Sequence, residues 1–281
     1  MKLLVALVMV LITSVAGCSA GNDQESDQNN IPSEEKVFAA GPHKMTLVTA
    51  DSLREVAWFT PTTAKEPAPL LIMLHMLGAD HTSFGPFIEA MRLYVDTSSS
   101  QSLMPNLLTF DLRGHGESTQ KGDTSLGYTS MSNEEFERIP KDVYEMARQV
   151  IADYPDIIDT SRIIVIGASI GANSAMLLTQ YMPYINEVVL ISPGEDYRGL
   201  KPAEAFKAFD GMTYIMTGSD DAYSNHSSQA IARLKMENWL LKIYPTAKHG
   251  TEIINSDPRP VQIILEWIFG KSDKQPPDSA Q

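Results

Sequence analysis

The chain has 281 residues, 43% hydrophobic and 20% charged, enough to bury a full core in one large domain or two small ones. Its formal net charge of −13 argues against a nucleic-acid partner, because phosphate binding needs a basic face that would have to be built against this background. The single cysteine, Cys18, excludes an intramolecular disulfide, a cysteine nucleophile in the body of the protein and thiolate metal sites of the usual multi-cysteine kind.

At the start of the chain Lys2 precedes an unbroken apolar run, 3–12, then Thr13, Ser14 and the small residues Ala16 and Gly17 before Cys18. This is the layout of an export signal. The run is too short to span a bilayer, which takes about 20 apolar residues. Val15-Ala16-Gly17-Cys18 resembles a bacterial lipobox. The resemblance implies that residues 1–17 are a signal peptide removed on export, and that Cys18 becomes a diacylglyceryl-bearing N-terminus anchored in the membrane. Ser19, where an aspartate would act as a retention signal, implies sorting to the outer membrane of the cell envelope. Residues 18–37, rich in Asp, Gln, Asn, Ser and Glu, read as a flexible tether. Residues 271–281, with Pro276 and Pro277, read as a disordered tail.

Between them residues 38–270 read as one domain. The first strand candidates, 44–49 and 55–59, are close enough to form an antiparallel hairpin. Further strand candidates follow at 70–74, 107–110, 163–166, 188–191, 212–216 and 240–244, alternating with helical patterns. That alternation is the mark of crossover units and a mostly parallel sheet with helices on both faces. Val143, Met146, Ala147, Val150 and Ile151 share one buried helix face, with Pro140 suited to its first position. Ser132 and Glu135 have capping-box spacing and predict a short separate helical turn just upstream. Val261, Ile264, Leu265 and Ile268 form another stripe, with Gly270 where a C-terminal cap belongs.

The strongest chemical signal is Gly167-Ala168-Ser169-Ile170-Gly171, directly after the strand at 163–166 and before a helix-compatible stretch, 172–180. A serine nucleophile on a sharp strand-to-helix turn needs near-bare residues two before and two after it, and both are glycine here. A serine hydroxyl also needs a base, and a third group to orient that base. His249 follows the strand at 240–244 after a short loop, whereas His226, in the polar run 224–228, reads as solvent-exposed. Asp220 and Asp221 both follow the strand at 212–216 and compete for the acid's place. An oxyanion hole would take the amide of Ile170 and one amide from the loop His75-Met76-Leu77-Gly78. His75, His81 and His115 have no recognised metal-ligand spacing, so neither metal nor cofactor is expected.

These landmarks, with Asp111-Leu112-Arg113-Gly114-His115-Gly116-Glu117-Ser118, resemble the α/β-hydrolase superfamily over roughly 37–270. The resemblance implies a mostly parallel eight-stranded sheet and a triad of Ser169, Asp221 and His249. Asp221 stands three residues after Gly218, as the superfamily's acid commonly does. In the superfamily the oxyanion loop often reads His-Gly-x-Gly, so Met76 replaces a glycine, which leaves Met76 or Leu77 as the donor and favours Leu77. His75 then braces the loop, and Asp111 and Arg113 brace the segment beside the site. By likeness to serine esterases and dienelactone-hydrolase-like relatives, the expected substrates are carboxylic esters. A peptidase with the same triad, a non-hydrolytic enzyme of the fold and an idle binding module are the rivals.

The stretch 193–211, which must already hold a crossover helix near 203–209, has no room for a lid of two helices of about 11 residues each. Residues 119–140 allow only a loop and a short helix, so little or no lid is expected over the site. If Cys18 is the lipidation site, Cys18→Ser should accumulate as unprocessed precursor and take up no labelled lipid. Normal maturation of that variant would remove the anchor from the reading.

Overall fold

Residues 41–97 and 104–270 are described by the structure, a computed structural model. The expected signal peptide, tether and tail lie outside the described residues. The hairpin forms as its spacing predicts: β1 (His43–Val48) runs antiparallel to β2 (Leu53–Thr60). Strands and helices then alternate through β3 (Ala68–Leu74), α1 (Gly85–Thr97), β4 (Asn106–Asp111), α2 (Asn133–Asp153), β7 (Ile158–Ala168) and α3 (Ile170–Leu178). The chain continues through β8 (Ile185–Ile191), α4 (Ala203–Ala208), β9 (Met212–Gly218), α5 (Ala222–Ala232), β10 (Trp239–Tyr244), α6 (Thr251–Ser256) and α7 (Pro258–Phe269). Between β4 and α2 lies a ribbon of two-residue strands, β5 (Gln120–Lys121) and β6 (Thr124–Ser125), which brings the expected eight strands to ten.

The sheet order is β10-β9-β8-β7-β3-β4-β2-β5-β6, with β1 also on β2. The strands from β4 to β10 in that order are all parallel, because each is entered through a crossover, while β2 meets β4 antiparallel. From β3 the chain first steps to β4 on one side and later returns to β7 on the other. The carboxyl ends of β3 and β7 therefore flank a topological switch point, where a crevice opens in sheets of this kind.

Residues alternate strictly between two cores. Leu70, Ile72 and Leu74 of β3 join Val143, Met146 and Val150 of α2 on one face, with α3 packed beside them. Leu71 and Met73 join Phe87 and Met91 of α1 and Val261, Ile264 and Ile268 of α7 on the other. Both faces are apolar because both are covered, which explains why the central strands read as continuous hydrophobic runs. Across 193–211 the only helix is the six-residue α4, so no helical lid is inserted there.

One helix differs from expectation. Pro140 does not start a helix and Ser132 does not cap a separate turn: α2 is continuous from Asn133 to Asp153 with Pro140 inside it. Ser132 Oγ accepts from the Glu135 amide, and Glu134 and Glu135 suit the positive end of the helix dipole. Phe136 and Ile139 are buried in the first core cluster, so the turns before the proline are held by packing and capping. These contacts offset the hydrogen bond that an interior proline forfeits.

Beside α2, Arg113 is fully buried in a ring of carboxylates. It donates to Asp51 in the β1–β2 turn at 2.8 and 2.9 Å, to Glu135 at 2.5 Å and to Asp142 at 2.7 and 3.2 Å. Lys121 of β5 joins Asp51 and Glu135. Burial opposes the guanidinium's charge, but its bonds to Asp51, Asp142 and Glu135 outweigh burial and hold its pKa above the ordinary value. Arg113 in turn holds the Asp51 carboxyl well below the usual carboxylate range.

Glu55 of β2 is fully buried and neither of its carboxyl oxygens has a hydrogen-bond partner. Burial pushes its pKa well up and Asp142 and Glu145 add to the rise, against the opposing pull of Arg113. The fold thus keeps a proton on Glu55 that an unfolded chain loses near about pH 4.3. Its stability contribution is complete below that pH and falls as pH rises toward the folded pKa. Thermal melts of Glu55→Gln against wild type should therefore show a difference in Tm that moves in the variant's favour from about pH 4 to about pH 8. A difference constant across that range would mean that Glu55 is ionised in the fold.

Candidate active site

The turn at Ser169 carries the first piece of the site. Ser169 has φ 54° and ψ −115°, a strained conformation held between β7 and α3. Its amide donates to the Ile191 carbonyl of β8 at 2.8 Å and its carbonyl caps the Ala172 and Asn173 amides. Two glycines let the chain fold past itself: a Cβ on Gly167 would drive into the Gly171 carbonyl, and one on Gly171 into the Leu74 carbonyl. Any side chain at either place would push α3 off the ends of β7 and β3.

His249 and Asp221 complete the arrangement from loops after β10 and β9. His249 Nε2 lies 2.8 Å from Ser169 Oγ, and His249 Nδ1 lies 2.6 Å from Asp221 Oδ2. A carboxylate only accepts, so Nδ1 carries the ring proton and Nε2 is left to accept from the serine hydroxyl. Of the two competing aspartates it is Asp221 that reaches the histidine. Asp220 instead accepts from Ser219 Oγ and donates its amide to the Thr246 carbonyl. Asp221 is also the N-cap of α5, its Oδ1 accepting from the Ser224 amide at 3.4 Å, so one carboxylate is fixed by two partners.

The loop after β3 is held as a platform beside the serine. His75 is buried, donates from Nδ1 to the Met76 carbonyl at 2.7 Å and accepts at Nε2 from the Leu112 amide at 2.9 Å. Burial lowers its pKa to about 4, so it is neutral and serves as a strut. Leu77 and Met76 line the cavity that contains Ser169 and His249. No turn or cap bond among the described residues takes up the amides of Leu77 or Ile170. The Ile170 amide is free because it opens α3, where the first amides of a helix have no partner within it.

The other sequence-marked histidines stay out of the chemistry. His115 is buried, donates to the Arg113 carbonyl at 2.9 Å and stacks on Tyr128, and burial lowers its pKa. His226 is exposed on α5. His81 stacks on Trp58 and donates from amide and ring to Asp111 Oδ1 at 2.9 and 2.8 Å. Asp80, His81 and Asp111 come within 4.8 Å of one another, but Asp111 is already engaged by His81 and the Glu117 amide, which makes it a loop brace. Arg113 braces α2 and the β1–β2 turn through its carboxylate ring.

Several residues here carry no motif of their own. Ser224 Oγ sits 3.3 Å from His249 Nδ1, and Ser192 Oγ accepts from the Gly250 amide at 3.0 Å, tying the histidine loop to the end of β8. The signal for Ser224 is its place one helical turn after the capping Asp221. The run 224–228 is a helix with Ser224, Ser227 and Ser228 buried, and only its outward face reads as polar loop. Around Ser169 two cavities meet. One of about 330 Å³ is bounded by Met76, Leu77, Tyr197 and Glu252, and one of about 120 Å³ by Asn173, Ser192, Gly194 and Tyr223.

The comparisons agree with this architecture. Residues 106–210, from β4 past the Ser169 turn to just beyond α4, match a family model described as serine aminopeptidase, S33. Asp221 and His249 lie beyond the matched segment. No curated protein sequence matches the chain. Among solved structures, an esterase of Pyrococcus furiosus superposes with TM-score 0.60 at 16% identity, covering 82% of this chain and 92% of its own. An acetyl xylan esterase from Thermoanaerobacterium gives 0.62 at 14% identity, covering 84% and 85%. An acylaminoacyl peptidase of Pyrococcus horikoshii gives 0.62 at 13%, covering 86% of this chain and 44% of that one. At these identities the likeness establishes the fold, and the fold is that of the α/β-hydrolases.

The different surroundings of the two aspartates make a direct test. Asp221→Asn should reduce turnover by on the order of 10⁴, because an amide misdirects the imidazole, while Asp220→Asn should change it by less than about tenfold. Steady-state rates of the two variants measure this, and the reverse pattern would move the acid to Asp220.

Proposed function

We propose that the protein is a serine hydrolase that cleaves carboxylic esters through an acyl-enzyme. The observation that carries the reading is the unbroken hydrogen-bond chain from Ser169 Oγ through His249 to Asp221, set on a strained turn at the sheet's switch point. In this reading Ser169 Oγ attacks the ester carbonyl while its proton passes to His249 Nε2. The negative charge that develops on the carbonyl oxygen is taken by the amides of Ile170 and Leu77, with Met76 as the alternative donor. Collapse breaks the ester bond, and the leaving alkoxide takes the proton from Nε2. A water then attacks the acyl-serine with His249 again as base, releasing the acid and restoring the hydroxyl. Asp221 orients the imidazole and stabilises the imidazolium.

The cavities of about 330 and 120 Å³ support small acyl groups, or an ester exposed on a larger molecule, over long fatty chains. No helix among the described residues is long and apolar enough to cross a membrane. The export signal and lipobox support a domain held at the cell envelope, on the outer membrane, by acylated Cys18. A peptidase is the second reading. It is favoured by the family model's description and by the acylaminoacyl peptidase among the structural neighbours. The triad is the same for both, so paired ester and amide substrates with one acyl group decide between them.

A fluorophosphonate should label the wild-type protein covalently and fail to label Ser169→Ala, whose turnover should fall by several orders of magnitude since such triads act as a unit. On a panel of esters, acetate and butyrate should be cleaved with higher kcat/KM than long-chain esters, with no jump above the substrate's micelle threshold. Labelling at another serine would end the assignment of the nucleophile, and a long-chain preference would end that of the pocket.

A further inference from the structure

The larger cavity beside Ser169 has an uneven chemical lining. Met76 and Leu77 form one wall, and Tyr197, His249 and Glu252 the rest, with Glu252 the only carboxylate among them. An exposed carboxylate on a chain of net charge −13 is ordinary by itself. Glu252 differs by where it stands. It is the second residue of α6, and its amide donates to the His249 carbonyl at 3.2 Å, so its backbone is pinned to the histidine that faces Ser169.

The nearby cations turn elsewhere. Lys248 lines a separate cavity with Thr246, Asp257 and Arg259. Arg198 lies over the Phe136 ring at 5.4 Å and donates to the Met131 carbonyl. No ion pair of Glu252 occurs among the described residues, and Glu252 lines the cavity beside His249. Tyr197 borders both cavities and supplies an aromatic surface in the same space. A carboxylate and an aromatic ring around one apolar-walled cavity form the environment that favours an alkylammonium group.

We infer that the larger cavity is a subsite for a cationic ammonium group of the substrate, recognised by Glu252 and Tyr197. The inference rests on the serine-hydrolase reading, and it assigns that site a substrate class. The ammonium group can belong to the alcohol or to the acyl part of the ester, and the test separates the two. No bond to the ammonium forms or breaks: its contribution is positioning the ester carbonyl over Ser169.

The experiment uses two pairs of isosteric esters, each differing by nitrogen for carbon. The first pair, choline acetate and 3,3-dimethylbutyl acetate, puts the charge on the alcohol. The second, betaine ethyl ester and ethyl 3,3-dimethylbutanoate, puts it on the acyl group. The quantity read is the ratio of kcat/KM for the cationic ester over the neutral one, in wild type and in Glu252→Gln. Intrinsic reactivity and any general loss of activity cancel when the two ratios are compared. In at least one pair the wild-type ratio should exceed the variant's by about fivefold to tenfold, and the excess should shrink as salt is raised. Glu252→Asp should keep part of it. The pair that responds identifies whether the cavity holds alcohol or acyl group. Equal ratios in wild type and variant for both pairs would overturn the subsite. Fluorophosphonate labelling with no hydrolysis of any of the four esters would overturn it too while leaving Ser169 as nucleophile, whereas absence of both would overturn the hydrolase reading itself.

Discussion

The backbone of Gly171 lies so close to the Leu74 carbonyl, and its own carbonyl so close to Gly167, that neither glycine can carry a side chain. This close approach lets α3 begin directly over the ends of β7 and β3, and with it the rest of the site is positioned. It leaves the Ile170 amide without a turn or cap partner at the start of α3 and Ser169 in a conformation that costs about 1–3 kcal/mol. That cost is sustained because β7 is paired on both sides, with β3 and β8, and α3 is buried along nearly its whole length. Strain at Ser169 and burial of the helix behind it are two aspects of one packing arrangement.

The carboxylate ring around Arg113 does a second job at a distance. Burying a guanidinium is costly, and three carboxylates contribute to offsetting it only because five hydrogen bonds satisfy its donors. The cluster joins β4's exit loop to α2 and to the β1–β2 turn. That loop also contains Leu112, whose amide fixes His75, so the ring bears on the loop at 75–78 through one intermediate strut. Glu55, neutral and unpartnered behind the ring, is the point where this arrangement is least satisfied.

Much of this was legible in the order of residues, and the reasons are specific. The central strands read clearly because both faces of the sheet are covered, and Gly167 and Gly171 announced the turn because nothing but glycine fits there. His249 was legible from its place after the last strand. The choice between Asp220 and Asp221 rested on resemblance alone, since adjacent aspartates differ only in which way a loop turns them. Pro140 misled because its usual place is a helix start, and tertiary packing of Phe136 and Ile139 overrides that preference. The β5–β6 ribbon was invisible because two-residue polar strands have no periodicity to detect. Ser192 and Ser224 contact the histidine and its loop through three-dimensional closure between separate loops, which no local spacing encodes.

The short connection between β8 and β9 has a consequence for selectivity. Enzymes that close a lid expel water and so strengthen every electrostatic contact inside. Here the only helix across 193–211 is α4, and His249 retains 40% of its side-chain exposure. Charges at such a site act through a partly aqueous medium, where one ion pair contributes on the order of 1 kcal/mol. In the proposed subsite, discrimination between substrates rests on fixed features of the wall: the Glu252 backbone held to the His249 carbonyl, the ring of Tyr197 and the smaller cavity toward Ser192. In an open site of this kind rigid placement counts for more than enclosure, and the bonds that fix the His249 loop to β8 and α5 also hold the backbone of Glu252, the group proposed to select the substrate.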